Sequence, residues 1–470
     1  MSIISLGKQS IIYGFGHILS RLLTFLLLPL LTYSLTPEDY GVVAKLYAFT
    51  GFAMTFYRYG MDTALMKFYI QSDNPKSYFS SIFILQLLTS ILFSLILILF
   101  KSQIASILFG IEETIFIIYI VIIIFCDIIW NLIIITLRTA GKAVQFTGFN
   151  IINVTICFIL TIYFVNMKNL GVEGVLLANV YASMVVCFLS CLLLLTRFSF
   201  KSINFSIMNK IIAFGLPFFP AAIFTIIMES SDRFILAYMM NDYFVGIYSA
   251  SYKLGVLGLL IVMAFNMGWT PYFLKYGKNH DSYLEFSTIA TLFLGLHGLI
   301  GIIITIFLPL IIKINLFGYT LIGQAFFEGL YIVPLILMSY YFFGIYVLLL
   351  PKIYNYNSTY LVPYFRLTGA ITNILFNILL IPKFGILGSA IATLLSFFIM
   401  SCCIFYKGNK IKYTKYNLKG WIFPLIIWGI IIILNENYFI IGPILLLYPV
   451  LWYKFIINEY EKSKIIEILK

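Results

Sequence analysis

The chain reads as an all-α polytopic membrane protein of about 14 transmembrane helices, and three observations lead to that fold class. Of its 470 residues 62% are hydrophobic, 18% aromatic and only 10% charged, with a mean hydropathy of +1.03, so no soluble domain is hidden in it. Apolar runs of spanning length recur from end to end, and their continuous stretches, such as Ser90 to Phe100 and Ile115 to Ile135, lack the period-2 alternation of a barrel strand. The connections between runs are short and alternate in charge. A helix needs about 20 apolar residues to cross a core of roughly 30 Å, and only helices or closed barrels satisfy their backbone polar groups there.

The spans are bounded by charges, prolines and glycines. The first, 8–34, begins at Gly7 and Lys8, carries Arg21 in its middle and lacks a small-residue cleavage site, so it reads as a retained helix, not a signal peptide. The second, 40–61, follows Pro37-Glu38-Asp39; the third, 78–100, follows Pro75-Lys76. Glu113 and Arg138 bracket the fourth, 114–137, while Lys142 and Lys168 bracket the fifth, 143–165. The sixth, 174–196, stops at Arg197; the seventh, 210–229, stops at Glu229; the eighth, 242–265, opens on Asp242. The ninth, 284–308, and tenth, 326–350, end at Pro309 and at Pro351-Lys352, and the eleventh, 359–381, ends at Pro382-Lys383. Gly385 precedes the twelfth, 386–406; the thirteenth, 420–435, and fourteenth, 438–456, close the series.

Lys and Arg accumulate on the cytoplasmic side of membrane proteins. With the N-terminus inside, the even connections and tails hold twenty of them, and the odd connections hold only Lys101, Lys168, Lys313 and Lys383. That asymmetry predicts that both termini are cytoplasmic, and it makes the net charge of +12 a matter of topology. Basic residues scattered over many loops do not form a nucleic-acid face.

Cys126, Cys157, Cys187, Cys191, Cys402 and Cys403 all fall inside expected spans and lack paired metal-ligand spacing. His17, His280 and His297 are too dispersed for a metal cluster. No GxxxxGK[ST] loop occurs, which excludes an ATP-driven pump in one chain. No metal, cofactor or catalytic residue is expected.

The chain also repeats. Leu170-Gly171-Val172-Glu173-Gly174 matches Phe384-Gly385-Ile386-Leu387-Gly388, Asp39-Tyr40-Gly41-Val42-Val43 matches Phe244-Val245-Gly246-Ile247-Tyr248, and Gly60 to Lys67 matches Gly268 to Lys275. Two pseudo-symmetric six-helix bundles, residues 1–200 and 201–408, followed by two further helices and a tail at 409–470, account for the pattern. Six spans is an even number, so both units insert the same way up, the parallel-repeat arrangement of alternating-access transporters.

At this point a family resemblance becomes specific. The stretch from Ser20-Arg21-Leu22 through Thr36-Pro37-Glu38-Asp39-Tyr40-Gly41 resembles the opening of the polysaccharide-biosynthesis membrane proteins, the Wzx-type O-antigen and capsule flippases. So do Gly60-Met61-Asp62-Thr63-Ala64-Leu65, Leu137-Arg138-Thr139-Ala140-Gly141-Lys142, Ser231-Asp232-Arg233-Phe234-Ile235-Leu236 and Ile381-Pro382-Lys383-Phe384-Gly385. The last two spans carry no such mark. The resemblance implies the fold of the multidrug/oligosaccharidyl-lipid/polysaccharide exporter superfamily and outward transport of undecaprenyl-diphosphate-linked glycans across the bacterial cytoplasmic (inner) membrane. It implies the lipid bilayer as surroundings, with the polysaccharide polymerase and chain-length proteins of such pathways as further candidate partners.

A charge near the bilayer centre costs about 2.5–3.5 kcal/mol on insertion scales, so it usually faces a cavity or a partner. Ser10, Gly14, His17, Arg21 and Thr24 stack along one face of the first helix. Lys45, Arg58, Lys253 and Arg366 place further cations in spans, and the resemblance implies a cationic cavity for a pyrophosphate bounded by such residues. For Arg21 and Lys253 two readings stay open: cavity lining, or snorkelling and a structural ion pair. Arg58 with Asp62, and Glu229 with Arg233, are i,i+4 pairs that can neutralise one another. Asp127 with Asn131 and Arg138 forms a polar face on the fourth span suited equally to interhelical contacts, and Arg366 begins a face continued by Asn373 and Asn377.

The leading expectation is a flippase, a transporter and not an enzyme. A multidrug or cation antiporter of the same superfamily would prefer an acidic cavity. A membrane glycan polymerase or ligase would need a large extracytoplasmic loop, and every odd connection is short.

Overall fold

The computed structural model describes residues 22–110, 112–276, 282–315, 320–356, 358–434 and 438–463. All regular structure among them is helical. Ten helices among the described residues are long and apolar enough to cross a membrane, and Leu22–Ser34, Leu418–Leu434 and Ile441–Ile456 are shorter apolar helices. The chain is a multi-pass membrane protein.

Helix α1 covers Leu22–Ser34 and α2 covers Pro37–Arg58. The start of α2 follows from its sequence: Thr36 accepts from the Asp39 amide, Pro37 fills the first turn, and Glu38 and Asp39 face the positive end of the dipole. Helix α2 has spanning length, yet its charged and small residues keep it outside the ten most apolar helices. Gly60 then adopts φ +84°, a left-handed turn that ends α2 and opens α3, Met61–Gln71. The sequence predicts a connection here; the stretch is a helix because Met61, Ala64 and Leu65 bury one face.

Next come α4, Pro75–Leu99, α5, Ile115–Thr139, α6, Ala143–Thr161, and α7, Gly171–Arg197. Asn74 caps α4 with Pro75 in its first turn. Helix α8, Phe205–Gly215, is capped by Asn204. Helix α9 runs Phe219–Met239, ten residues past the expected stop at Glu229. The charges there do not end the helix because Arg233 pairs with Asp232 at 3.0 Å and donates to the Glu229 carbonyl within it.

The contacts divide the chain into two compact units, residues 1–246 and 247–470. In the first, one core cluster joins Leu46, Phe49 and Tyr57 of α2 to Ile117, Ile120 and Ile124 of α5. A second joins Met61 and Leu65 of α3 to Phe79 and Ile82 of α4, Leu132 of α5 and Ile211 of α8. Helix α10, Asp242–Gly255, starts in this unit. A Cβ at Gly41 would collide with the Asp242 carbonyl, and one at Gly246 with the Pro37 carbonyl. The contact is reciprocal, since each glycine lies against the residue four before the other, and only small side chains permit so close an approach.

The second unit contains α11, Leu257–Tyr276, α12, Ser282–Ile311, α13, Val333–Asn355, α14, Val362–Phe384, α15, Ile386–Ile411, α16, Leu418–Leu434, and α17, Tyr438–Leu451. Ser396 of α15 donates to the Gly369 carbonyl of α14 at 2.8 Å, and Ser401 of α15 to the Phe342 carbonyl of α13 at 2.6 Å. The last two helices dock on the glycine side of α12. Pro424 packs at Gly298 and Trp428 at Gly301. The Trp428 indole donates to Thr305 Oγ1 at 2.9 Å, and the Tyr448 hydroxyl to the Gly295 carbonyl at 2.8 Å.

Candidate functional site

Within the first unit the structure gathers charged and polar side chains where α2, α3, α5 and α7 meet. Arg58, at the end of α2, holds its guanidinium 3.6 Å from Asp62 of α3, with the two side chains 41% and 25% exposed. Asp62 Oδ1 accepts from Asn131 Nδ2 of α5 at 3.2 Å. One turn earlier on α5, Asp127 Oδ1 accepts from the Trp130 indole and from Ser183 Oγ of α7, both at 2.7 Å. Each carboxylate is thus held by donors from a neighbouring helix or turn, which lowers the cost of a charged group in this setting. Asn131, spaced four residues from Asp127, carries the polar face of α5 from one carboxylate to the other.

Lys45 lies elsewhere in the unit and is 3% exposed. Its ammonium stands 2.7 Å from Asp242 Oδ1 and donates to the Phe109 carbonyl at 2.9 Å, with the Phe109 ring 6.0 Å away. The geometry is that of a structural ion pair, a partner the sequence does not predict for Lys45, which it offers as a cavity cation. It joins α2 to the start of α10 beside the Gly41 and Gly246 contact.

In the second unit Lys253 sits on α10, partly exposed, one turn beyond the buried Ser249. Arg366 of α14 places its guanidinium 5.8 Å from the Tyr346 ring of α13, within cation–π range. Asn373 and Asn377 are fully buried. Asn377 Nδ2 donates to Asn373 Oδ1 at 3.0 Å, and Ser389 Oγ of α15 donates to Asn377 Oδ1 at 2.9 Å. This polar face therefore joins α14 to α15. Arg21 and His17 lie outside the described residues.

Sequence reasoning missed Ser183, Trp130, Asp242 and Phe109 as partners. Ser183 sits in an apolar run with no distinguishing neighbour, whereas Trp130 lies one turn from Asp127 and beside Asn131. Asp242 was visible as a helix-starting acid, but nothing along the chain ties it to Lys45. Among the described residues no group of three or more His, Cys, Asp or Glu side chains could hold a metal ion.

A family model described as "Polysaccharide biosynthesis protein" matches residues 6–276. Among curated proteins, the uncharacterized membrane protein MJ1068 of Methanocaldococcus jannaschii is 44% identical over 59 residues, 13% of this chain and 12% of that relative's length. Among solved structures, a lipid II flippase MurJ in an inward closed conformation superposes with a TM-score of 0.73 at 15% identity, over 98% of this chain and 100% of that one. An inward-facing multidrug resistance MATE family transporter of the MOP superfamily gives 0.66 at 14% identity, over 87% and 95% of the two chains. At these identities the structural likeness speaks to fold.

Proposed function

The chain belongs to the polysaccharide biosynthesis protein family, and from that premise we propose that it is a flippase for undecaprenyl-diphosphate-linked oligosaccharide, an O-antigen or capsule repeat unit. It works from the cytoplasmic to the outer leaflet of the bacterial cytoplasmic membrane, as a protein of fourteen spans with both termini cytoplasmic. The observation that carries this reading is the family match over residues 6–276. The fold shared with a lipid II flippase is in keeping with it.

The mechanism proposed is alternating access between the two repeat-related units, 1–200 and 201–408. The diphosphate is the part of the cargo that binds: it is compact and anionic, and a low-dielectric cavity with a cationic field concentrates it. Arg21, Lys253 and Arg366 are proposed to supply that field, and Arg58 enters it as the partner of Asp62. Lys45 enters it only as a pair with Asp242, whose charge it cancels. The glycan passes through the polar space and the polyprenyl tail stays in lipid, because burying it elsewhere would forfeit about 0.8 kcal/mol per CH₂.

A second reading, a multidrug or cation antiporter, draws on a specific feature, the two carboxylates Asp62 and Asp127 inside the first unit. Arg58 beside Asp62 opposes it, since it neutralises one of the two carboxylates. Complementation separates the two. A strain lacking its own flippase should regain surface glycan when this chain is expressed. Drug resistance without glycan display would support the antiporter.

A further inference from the structure

The segment joining α15 to α16 has a composition that the transport reading does not use. Between Glu328 and Glu436 the chain holds no Asp or Glu, and five lysines fall within 407–419: Lys407, Lys410, Lys412, Lys415 and Lys419. Among the described residues no ion pair engages any of them. Two acids on elements packed against the segment hold neutral donors. Glu461 accepts from Asn417 Nδ2 at 2.9 Å and from the Asn458 amide at 2.8 Å, and Glu285 accepts from the Tyr272 hydroxyl at 2.6 Å.

The backbone of this segment is fixed. Lys352 of α13, 1% exposed, bonds Asn409 Oδ1 and lies 4.6 Å over the Tyr416 ring. Ser287 of α12 donates to the Lys415 carbonyl at 3.0 Å, and Asn417 Nδ2 donates to the Ile456 carbonyl at 3.1 Å. Burial raises the Tyr416 phenol above its ordinary pKa, so the ring stays neutral beneath the Lys352 ammonium. With Asn409, Tyr416 and Asn417 turned inward, Lys407, Lys410, Lys415 and Lys419 are left exposed. So are the rings of Tyr406, 58% exposed, and Tyr413, 76% exposed, with Lys410 Nζ 4.4 Å over Tyr406.

We infer that this segment is a binding site for the phosphate headgroup of an anionic phospholipid of the surrounding leaflet. The site stands where one membrane helix ends and the next begins, the depth at which headgroup phosphates lie. Exposed tyrosines favour that depth because one end of the ring is apolar and the other wet. A lysine cluster immediately beside a membrane helix attracts anionic lipid, each lysine near the surface multiplying affinity about fivefold. The segment is held in place before any lipid arrives, so little ordering entropy opposes binding. A free phosphate would find the same lysines but would gain nothing from the two rings.

The full chain, reconstituted in phosphatidylcholine nanodiscs doped with photoactivatable phosphatidylglycerol, tests this directly. Crosslinks to peptides from 406–419 should exceed those from a photoactivatable phosphatidylcholine by about tenfold or more, and added salt should erase the difference. The combined Lys407→Gln, Lys410→Gln, Lys415→Gln and Lys419→Gln variant should drop to the phosphatidylcholine level, and the same four changes to Arg should preserve labelling. Equal labelling by both lipids in the unmodified protein overturns the inference without recourse to any variant. So does undiminished labelling of the Gln variant, and so does full competition by inorganic phosphate, which would make this a site for a free anion.

Discussion

Removing the carboxylate from the Lys45–Asp242 pair is predicted to cost more than removing the pair altogether. Asp242→Asn leaves an ammonium that is 3% exposed with the Phe109 carbonyl as its remaining partner. Breaking a buried pair from one side costs about 3–5 kcal/mol; because Asp242 is 27% exposed, the lower end, about 3 kcal/mol, applies here. Lys45→Met keeps most of the side-chain volume and leaves a carboxylate that can turn to water, at a cost of about 1 kcal/mol. The double variant buries no charge and should also lose about 1 kcal/mol. The coupling between the two sites is then about 3 kcal/mol, well beyond the roughly 0.5 kcal/mol scatter of independent sites. In purified protein in a single detergent, the midpoint for heat-induced loss of monodisperse protein should fall furthest for Asp242→Asn. The double variant should recover about 4 °C of that loss, taking roughly 2 °C per kcal/mol for a long chain. Equal midpoints for Asp242→Asn and Lys45→Met, or strictly additive losses in the double variant, would refute this account of the pair.

Three other outcomes are expected. Reporter fusions after Asn409 and after Asn437 should report cytoplasmic and external locations respectively; the same side for both would remove the fourteen-span topology. Arg21→Ala should abolish glycan display with membrane abundance nearly intact, and Arg21→Lys should be partly active; normal display would end its cavity role, and loss of the protein would make it structural. Gly301→Leu should abolish docking of the last two helices, because even a Cβ there meets the Trp428 ring, and the overpacking cost of about 1–3 kcal/mol should appear as faster proteolysis after Leu418; an unchanged digestion pattern would contradict the docking described.

The helices were legible because the bilayer makes length and apolarity decisive. Pro75-Lys76 and Gly385 mark starts that the structure keeps within a few residues. The errors came where a charge was neutralised locally or a helix was too short to span. The charges at Glu229, Asp232 and Arg233 do not end α9, because Arg233 pairs with Asp232 within it. Helix α3 escaped notice because eleven residues carrying Asp62 and Lys67 resemble a loop, and only its buried face shows otherwise. The i,i+4 spacings of Arg58 with Asp62 and of Asn373 with Asn377 each correspond to a contact, since such pairs lie on one helical face or across one tight turn. What a linear reading could not supply was the distant partner. Asp242 lies nearly two hundred positions beyond Lys45, and Ser183 and Ser389 reach Asp127 and Asn377 from neighbouring helices. Cavity cations and structural cations look alike until those partners are in place.

The most direct test of the proposed function is a flipping assay with the purified chain in proteoliposomes. A fluorescent undecaprenyl-diphosphate oligosaccharide is placed in one leaflet, and its arrival in the other is read by accessibility to an added membrane-impermeant glycosidase. Cleavable glycan should appear only in vesicles containing the protein, and free undecaprenyl diphosphate should slow its appearance by competing for the head-group site. Glycan that stays in its starting leaflet, in vesicles where the same protein exchanges a cationic dye for protons, would contradict it.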